Sequence, residues 1–317
     1  MKISEKRQNC LKLLLSSFLF TILFFSESKA CDICGCGAGN LYFGFMPNGE
    51  KHQIGLRYRS LFFDSHIKET GEYASLFRSR EQFQVMDLMG RFRLGNRFQV
   101  MVLLPYVYAE QKMADSRKQT HGLADGLVQV QYRLLDTEQG SPEREWKHQF
   151  FAGLGLKMPL GNWKMEGDHK TSVLNPNFQP GTGSWDFLFT WQYQLRYKNW
   201  MLWQDAQLRR NGENADQYRF GNRVTANINL QYQWQWKNQK SLMPLVGIYL
   251  ENSASNENRK RPVPSTSGNL SMANLGLQAH WKKYSFLVQH QRPIAQNLGD
   301  GNLHSGPRWM LQFMMGF

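Results

Sequence analysis

Three cysteines stand close together near the N-terminus, in the segment CDICGCGAGN at 31–40. The thiolates of Cys31, Cys34 and Cys36 are soft ligands, and clustered soft ligands select Cu(I) or Zn(II). Structural zinc usually has four protein ligands, so we expect a metal site at these three cysteines with Cu(I) ahead of Zn(II). Two alternatives stay open: a disulfide or redox role, since Cys31 and Cys34 have a workable spacing, and lipidation of Cys31.

The residues ahead of these cysteines have the layout of a secretion signal. Lys2, Lys6, Arg7 and Lys12 precede an apolar run at 13–25. Ser28 and Ala30 then occupy the small-residue positions that a signal peptidase reads. The run has 13 residues, whereas a membrane-spanning helix needs roughly 20. We therefore predict a signal peptide at 1–30 and a Cys/Gly-rich segment at 31–50. This segment is expected in the periplasm or inside the lumen of the β-barrel that the following residues predict.

Composition narrows the class of protein further. The 317 residues carry a formal charge of +13, and removal of the first 30, with five Lys/Arg and two Asp/Glu, leaves +10. A basic chain can bind nucleic acid, but export argues against that partner, and much of the charge falls in loops. No linker or low-complexity stretch divides the chain after the signal, and no run of 18 apolar residues follows it. A single domain without membrane-spanning helices is expected.

The clearest pattern is the alternation in VTANINLQYQWQW at 224–236. Apolar side chains occupy every second position, uncharged polar ones occupy the others, and aromatics gather at one end. Period-2 alternation over thirteen residues is typical of a strand with one apolar and one polar face. Strands of about 9 to 11 residues, apolar toward lipid and bounded by aromatic girdles, build transmembrane β-barrels.

The same alternation recurs along the chain and predicts an all-β fold at 51–317, an antiparallel transmembrane barrel of about twelve strands. The predicted strands are 53–62, 83–94, 97–108, 126–135, 147–160, 185–197, 200–209, 218–236, 242–250, 270–281, 285–291 and 308–317. Short and long connections alternate between them. Short periplasmic turns and long extracellular loops are the layout of bacterial outer-membrane barrels. We therefore predict that the protein lies in the outer membrane, and that the first strand begins and the last strand ends on the periplasmic side.

The last residues support this interpretation. Apolar residues alternate along 308–317, and the sequence stops on Phe317. A final strand that ends in an aromatic resembles the signal read by the outer-membrane barrel-assembly machinery, which is therefore an expected partner beside outer-membrane lipid.

Several segments resemble a known family of outer-membrane barrels. They are VLLPYVYAEQ at 102–111, THGLADGLVQVQYRLL at 120–135, FAGLGLKMPLG at 151–161 and PGTGSWDFLFTWQYQLRYKNWML at 180–202. The chain is similar over roughly 50–317 to the phenol-degradation MetA-pathway or "transporter" family. Its Gly-x-Gly-Asp segment corresponds here to Gly122–Asp125, with Ala124 replacing a glycine. The opening CDICGCGAGNLYFGF resembles a Bacteroidetes-type subgroup. This resemblance implies passage of small, often hydrophobic, compounds.

Charged residues within the predicted strands stand out of phase with the apolar face, so we expect them to line the lumen. They are Arg57, Arg59, Lys157, Arg196, Asp205, Arg209 and Arg223. A charge on the lipid face would cost about 2 to 4 kcal/mol at mid-bilayer. Such a lining either favours anions modestly or braces the wall through Arg–Asp pairs. The phase of the pattern reveals no apolar track for a hydrophobic solute.

No enzymatic activity is expected. The raw material for a barrel phospholipase is His280 and His290 with Asp125, Asp186 or Asp205, which we interpret as structural. The favoured function is a channel or transporter for small solutes or metal ions, linked to copper handling through the N-terminal cysteines. The alternative is a non-transporting barrel that acts as a metal-binding or assembly partner.

Overall fold

The computed structural model describes residues 52–66, 78–113, 116–138, 145–163 and 178–317. Within these ranges, no helix is long and apolar enough to cross a membrane. The predicted signal peptide and the segment at 31–50, with Cys31, Cys34 and Cys36, lie outside the described residues. Their roles therefore stay predictions.

Twelve long antiparallel strands form most of the described chain. Their bounds are β1 His52–His66, β2 Arg78–Leu94, β3 Phe98–Lys112, β4 Arg117–Leu123 with Gly126–Asp136, β5 Trp146–Met158, β6 Asp186–Tyr197, β7 Trp200–Asn211, β8 Arg223–Tyr232 with Trp234–Trp236, β9 Lys240–Ser253, β10 Gly268–Trp281, β11 Tyr284–Leu298 and β12 Leu303–Ser305 with Arg308–Gly316. A 3₁₀ turn at Gly299–Gly301 joins the last two.

Each strand pairs with its neighbour in the chain, and β12 also pairs with β1, so the sheet closes on itself. At the closure Tyr58 lies opposite Leu311, and Arg57 lies opposite Gln312. Closure satisfies the backbone hydrogen bonds that an open edge would leave bare, which is what a spanning sheet needs in lipid. The predicted all-β antiparallel barrel and its strand number are confirmed.

Several strands differ in length from the prediction. β2 begins at Arg78, β11 continues to Leu298, and the predicted loop at 109–125 is partly a hairpin in which Lys112 pairs with Arg117. The predicted strand 218–236 is shorter than expected, because Tyr218–Arg219 joins a separate small sheet with Glu257–Asn258. Lipid imposes alternation only on the part of a strand that spans the membrane. The sequence pattern therefore does not show how far strand pairing extends beyond the membrane.

The two ends of the barrel differ in their connections. At one end, here called the short-turn end, strands are joined by turns at 95–97, 198–199, 237–239 and 282–283. Positive φ values at Lys198 and Lys282 (52° each) and Asn238 (66°) are typical of tight hairpin turns. The opposite, long-loop end carries the connections at 159–185, 212–222 and 254–267. Outer-membrane barrels place the short turns in the periplasm.

The outer face of the barrel is apolar. Leu275 in the middle of β10 is 60% exposed and Val246 in β9 is 53% exposed. Tryptophans mark the short-turn end, where Trp146 stacks on Tyr197 at 4.3 Å between ring centroids, and Trp281 is also exposed. Aromatic rings of this kind sit at the membrane–water interface. Lipid contact, rather than a packed protein core, therefore explains the exposed apolar side chains.

Candidate functional site: the barrel lumen

The strand register places all seven charged residues predicted for the lumen on the inner face. In β1, for example, Arg57 and Arg59 are 1% and 8% exposed, whereas the adjacent Leu56 is 49% exposed and faces lipid. The other five also lie on the inward side of their strands and are buried or nearly so; they are Lys157, Arg196, Asp205, Arg209 and Arg223. Their inward orientation follows from period-2 geometry and from the cost of placing charge in lipid.

Arg57 and Arg59 share one carboxylate. Arg57 Nε donates to Asp87 Oδ2 across 2.7 Å, and Arg59 donates to both oxygens of Asp87 across 2.8 Å. Asp87 lies directly opposite Arg57 on β2 and has no exposed side-chain surface. Such charge-assisted bonds are short and directional. These bonds connect β1 to β2 inside the lumen. The alternation in the sequence did not identify Asp87 as the partner of the two arginines.

Lys157 forms a second ionic group, here called the Lys157 node, with Asp125 and Asp186. Its Nζ lies 2.7 Å from Asp125 Oδ2 and 2.7 Å from Asp186 Oδ2. Asp125 Oδ2 also accepts from the backbone N of Thr182 (3.0 Å) and from its Oγ1 (2.6 Å). Ser184 Oγ donates to Asp186 Oδ1 at 2.8 Å. The node thus holds the segment 180–186 against β4 and β5 at the long-loop end.

Glycines permit the close approach of this segment. A Cβ on Gly161 would lie 2.7 Å from Gly181 Cα, and a Cβ on Gly183, whose φ is +72°, would lie 2.2 Å from Trp163. No L-residue side chain fits either position without moving backbone or an indole ring. Two of the segments quoted from the sequence, Gly122–Asp125 and the first residues of 180–202, therefore meet in space through Asp125 and Thr182.

Glu251 on β9 is the centre of a third group. It accepts from the Tyr249 hydroxyl at 2.5 Å, lies 3.5 Å from Arg223 Nε, and lies 3.9 Å from Arg308 Nη1. The Arg308 guanidinium also faces the rings of Tyr249 and Phe63, at 5.6 and 6.0 Å from their centroids. The sequence prediction included Arg223 but missed Glu251 and Arg308. Their position out of phase with the apolar face was the signal that could have found them.

The remaining predicted residues have other partners. Asp205 Oδ1 accepts from the Trp203 indole at 3.2 Å, and Asp205 Oδ2 accepts from Asn227 at 3.3 Å. Arg196 pairs with Glu138 at 3.2 Å near the short-turn end. Arg209 lies opposite Arg223 in the β7–β8 register. The bracing Arg–Asp pairs that the sequence raised as one possibility are realised at Asp87 rather than at Asp205.

Between these ionic groups the inner wall is lined by uncharged amides. Gln129 donates to Thr190 at 2.5 Å, and Asn274 donates to Asn229 at 3.0 Å and accepts from Gln291 at 2.9 Å. Amides both donate and accept, so they can pair with each other and with neutral polar solutes alike. We call these amide side chains of the inner wall the amide belt. It matches the uncharged polar face seen in the sequence at 224–236.

The lumen also contains apolar side chains, which the phase of the sequence pattern did not reveal. An upper apolar cluster lies toward the long-loop end and consists of Leu61, Phe63, Phe83, Val85, Val107, Ala109, Ala124, Tyr249, Leu270, Met272 and Leu298. A lower apolar cluster consists of Met89, Met101, Leu103, Leu127, Leu188 and Met314. Phase analysis missed them because a run that is apolar on both faces, such as 101–104, no longer alternates.

The residues considered for an enzyme are not gathered into one site. Asp125 and Asp186 are engaged by Lys157, and His290 packs on Trp309 with ring centroids 4.4 Å apart. His280 faces the lumen on β10, opposite Ser285. In the part of the chain that the structure describes, no group of three His, Cys, Asp or Glu side chains could hold a metal ion.

Comparison with known proteins agrees with this architecture. No protein family and no curated protein matches the chain. Among solved structures, the COG4313 outer membrane channel from Pseudomonas putida F1 is similar, with a TM-score of 0.63 and 15% identity over 88% of this chain and 100% of that one. The β-domain of the Bordetella autotransporter BrkA gives a TM-score of 0.53 and 9% identity over 84% and 100% of the two chains. The fold is that of a β-barrel of the bacterial outer membrane.

Proposed function

We propose that the protein is an outer-membrane channel for small solutes. The observation that carries the proposal is the make-up of the inner wall, where an amide belt runs beside the upper and lower apolar clusters. A wall with both kinds of surface can stay in contact with the polar and the apolar parts of one solute along its path. Small amphiphilic compounds, aromatic ones included, are therefore the favoured solutes, in line with the family resemblance of the sequence.

Orientation and partners follow from the same proposal. The long-loop end, with the Lys157 node and the upper apolar cluster, faces the outside of the cell, so a solute meets these residues first. The apolar outer face contacts membrane lipid, and the last strand is the segment that we expect the barrel-assembly machinery to recognise. The seven predicted charged residues then lie along the solute path.

The close packing of side chains inside the barrel favours the alternative of a non-transporting barrel. The lumenal cavity between Arg57, Tyr249 and Arg308 has a volume of about 40 Å³, and since one water molecule needs roughly 10 to 15 Å³ of such volume, it has room for only a few atoms. A solute would pass only when side chains or the segment 180–186 move aside. The two functions therefore differ in whether the Lys157 node opens.

Flux measurements separate the two functions. Purified protein would be reconstituted into planar bilayers and into liposomes, and conductance and entry of benzyl alcohol and glycerol would be measured. A channel gives flux above that of empty liposomes, and Lys157→Met, which removes the ammonium between two carboxylates, raises it. Absence of flux in the wild type and in Lys157→Met, both with native heat-modifiable gel mobility, would reject the channel.

The link to metal handling is a separate part of the proposal and depends on Cys31, Cys34 and Cys36. Mature protein purified under reduction would be titrated with Cu(I) and Zn(II) beside a variant with all three cysteines changed to Ser. A metal site predicts uptake by the first protein only, with Cu(I) held more tightly. Equal uptake by both proteins, or a diacylglyceryl mass on Cys31, would remove the metal site and leave the channel untouched.

A further inference from the structure

Arg308 occupies an unusual position in the lumen. Its side chain is 9% exposed, and its Nε is buried without a hydrogen-bond partner among the described residues. A buried donor left without a partner is costly, and such groups call for an explanation. The nearest carboxylate, that of Glu251, is 3.9 Å from Nη1, which is beyond hydrogen-bonding distance. The guanidinium is therefore only partly satisfied by this chain.

The space in front of Arg308 is a cavity rather than packed protein. The cavity of about 40 Å³ is lined by Arg308, Arg57 and Arg59 together with Leu61, Tyr249 and Asn227. A water molecule needs roughly 10 to 15 Å³ of such volume, so the cavity leaves room for a group of a few atoms. Three arginines thus line a space with room for a few atoms, and two of them, Arg57 and Arg59, also bind Asp87.

Charge in this part of the lumen is not balanced. The ion pairs on this part of the wall join four guanidinium groups, those of Arg57, Arg59, Arg223 and Arg308, to only two carboxylates, those of Asp87 and Glu251. Among the described residues this leaves a formal excess of two positive charges. Low-dielectric surroundings strengthen the attraction of such an excess for an anion.

The surroundings of the cavity are apolar on the side of the long-loop end. Leu61 lines the cavity itself, and Phe63 and Tyr249 pack their rings near the Arg308 guanidinium. All three belong to the upper apolar cluster. A solute that places an anionic group at Arg308 would therefore have its remaining atoms beside apolar side chains.

We propose that Arg308 and this cavity form a binding subsite for the carboxylate group of small apolar acids, with the apolar body directed toward Leu61 and Phe63. Arginine binds carboxylates through two parallel N–H donors, and Arg308 Nε would supply one of them. The subsite rests on the proposed channel function and narrows its solutes from amphiphiles in general to apolar monocarboxylates.

Binding of benzoate and of benzamide tests the subsite, because the two probes have nearly the same shape and differ in charge. Affinities would be measured by calorimetry on the detergent-solubilised, folded barrel. The wild type should bind benzoate at least tenfold more tightly than benzamide. Arg308→Gln should abolish this preference, Arg308→Lys should keep part of it, and the control Arg97→Gln, at the exposed short turn, should leave it unchanged.

Equal affinity of the wild type for both probes would overturn the subsite, as would an unchanged benzoate preference in Arg308→Gln. If Arg308→Gln does not fold, the wild-type comparison and Arg308→Lys still decide. The channel itself is judged by benzamide flux in liposomes. Flux without a benzoate preference rejects only the subsite, whereas a benzoate preference lost in Arg308→Gln but without any flux rejects only the channel.

Discussion

Arg57 and Asp87 lie directly opposite each other on β1 and β2, with Arg57 Nε 2.7 Å from Asp87 Oδ2. Because Arg59 binds the same carboxylate, one buried acid is the ion-pair partner of two guanidinium groups. Removing that acid would leave both cations without their common partner. The stability of the barrel wall between β1 and β2 therefore depends on Asp87 more than on either arginine.

We expect Asp87→Asn to lower the free energy of unfolding by about 3 to 5 kcal/mol, the usual cost of breaking a buried ion pair. Urea unfolding in detergent, followed by tryptophan fluorescence, measures the change. The matched control is Asp64→Asn, because Asp64 pairs with Arg80 on the same two strands at 2.9 Å but both side chains are exposed. That variant should lose at most about 1 kcal/mol. Equal losses would show that the lumenal group does not brace the wall.

Gly161→Ala should release the segment 180–186 from the barrel mouth. The new Cβ would lie 2.7 Å from Gly181 Cα, so backbone must separate and the bonds from Thr182 to Asp125 weaken. Higher conductance and faster proteolysis within 178–186 are the expected results. Gly126→Ala is the control, since the nearest atom to its Cβ would be the flexible end of Leu160 at 2.8 Å, and no backbone atom would have to move. Identical behaviour of the two variants would contradict the role assigned to the Gly161–Gly181 contact.

A charge at Leu275 should oppose membrane insertion. Leu275 is 60% exposed at the centre of β10, so Leu275→Arg places a cation in the middle of the bilayer at a cost of about 2 to 4 kcal/mol. Leu134→Arg, near the short-turn end of β4 and 57% exposed, should cost about 0 to 1 kcal/mol. Unfolding of the two variants in phospholipid vesicles measures the difference. A cost at position 134 equal to that at 275 would mean that the membrane position is wrong.

Cysteine labelling in intact cells checks the orientation of the barrel. Single cysteines would be introduced by Lys237→Cys in a short turn and Arg261→Cys at the long-loop end, in a chain whose cysteines at 31, 34 and 36 are changed to Ser. Both positions are exposed. An impermeant maleimide should label position 261 and leave 237 unlabelled until the outer membrane is opened. Labelling of 237 but not 261 in intact cells would reverse the assignment.

The sequence by itself determined the class of fold. Alternation at 224–236 and in eleven further segments predicted the barrel and its twelve strands, because lipid on one side and water on the other impose a period of two on any spanning strand. The same reasoning placed Arg57, Lys157 and Arg223 on the inner face. It predicted which way a side chain points, since that depends only on a residue's own position in its strand.

Tertiary structure decided which inward residues meet. Asp125 and Asp186 are 61 positions apart in the chain, yet both contact Lys157, and Glu251 meets Arg308 only because closure brings β9 and β12 to one lumen. The upper and lower apolar clusters could not be predicted from the alternation either, because inward side chains that pack on one another inside a barrel do not have to be polar. Contacts across a closed barrel depend on stagger and curvature, which are properties of the whole sheet and not of any one strand.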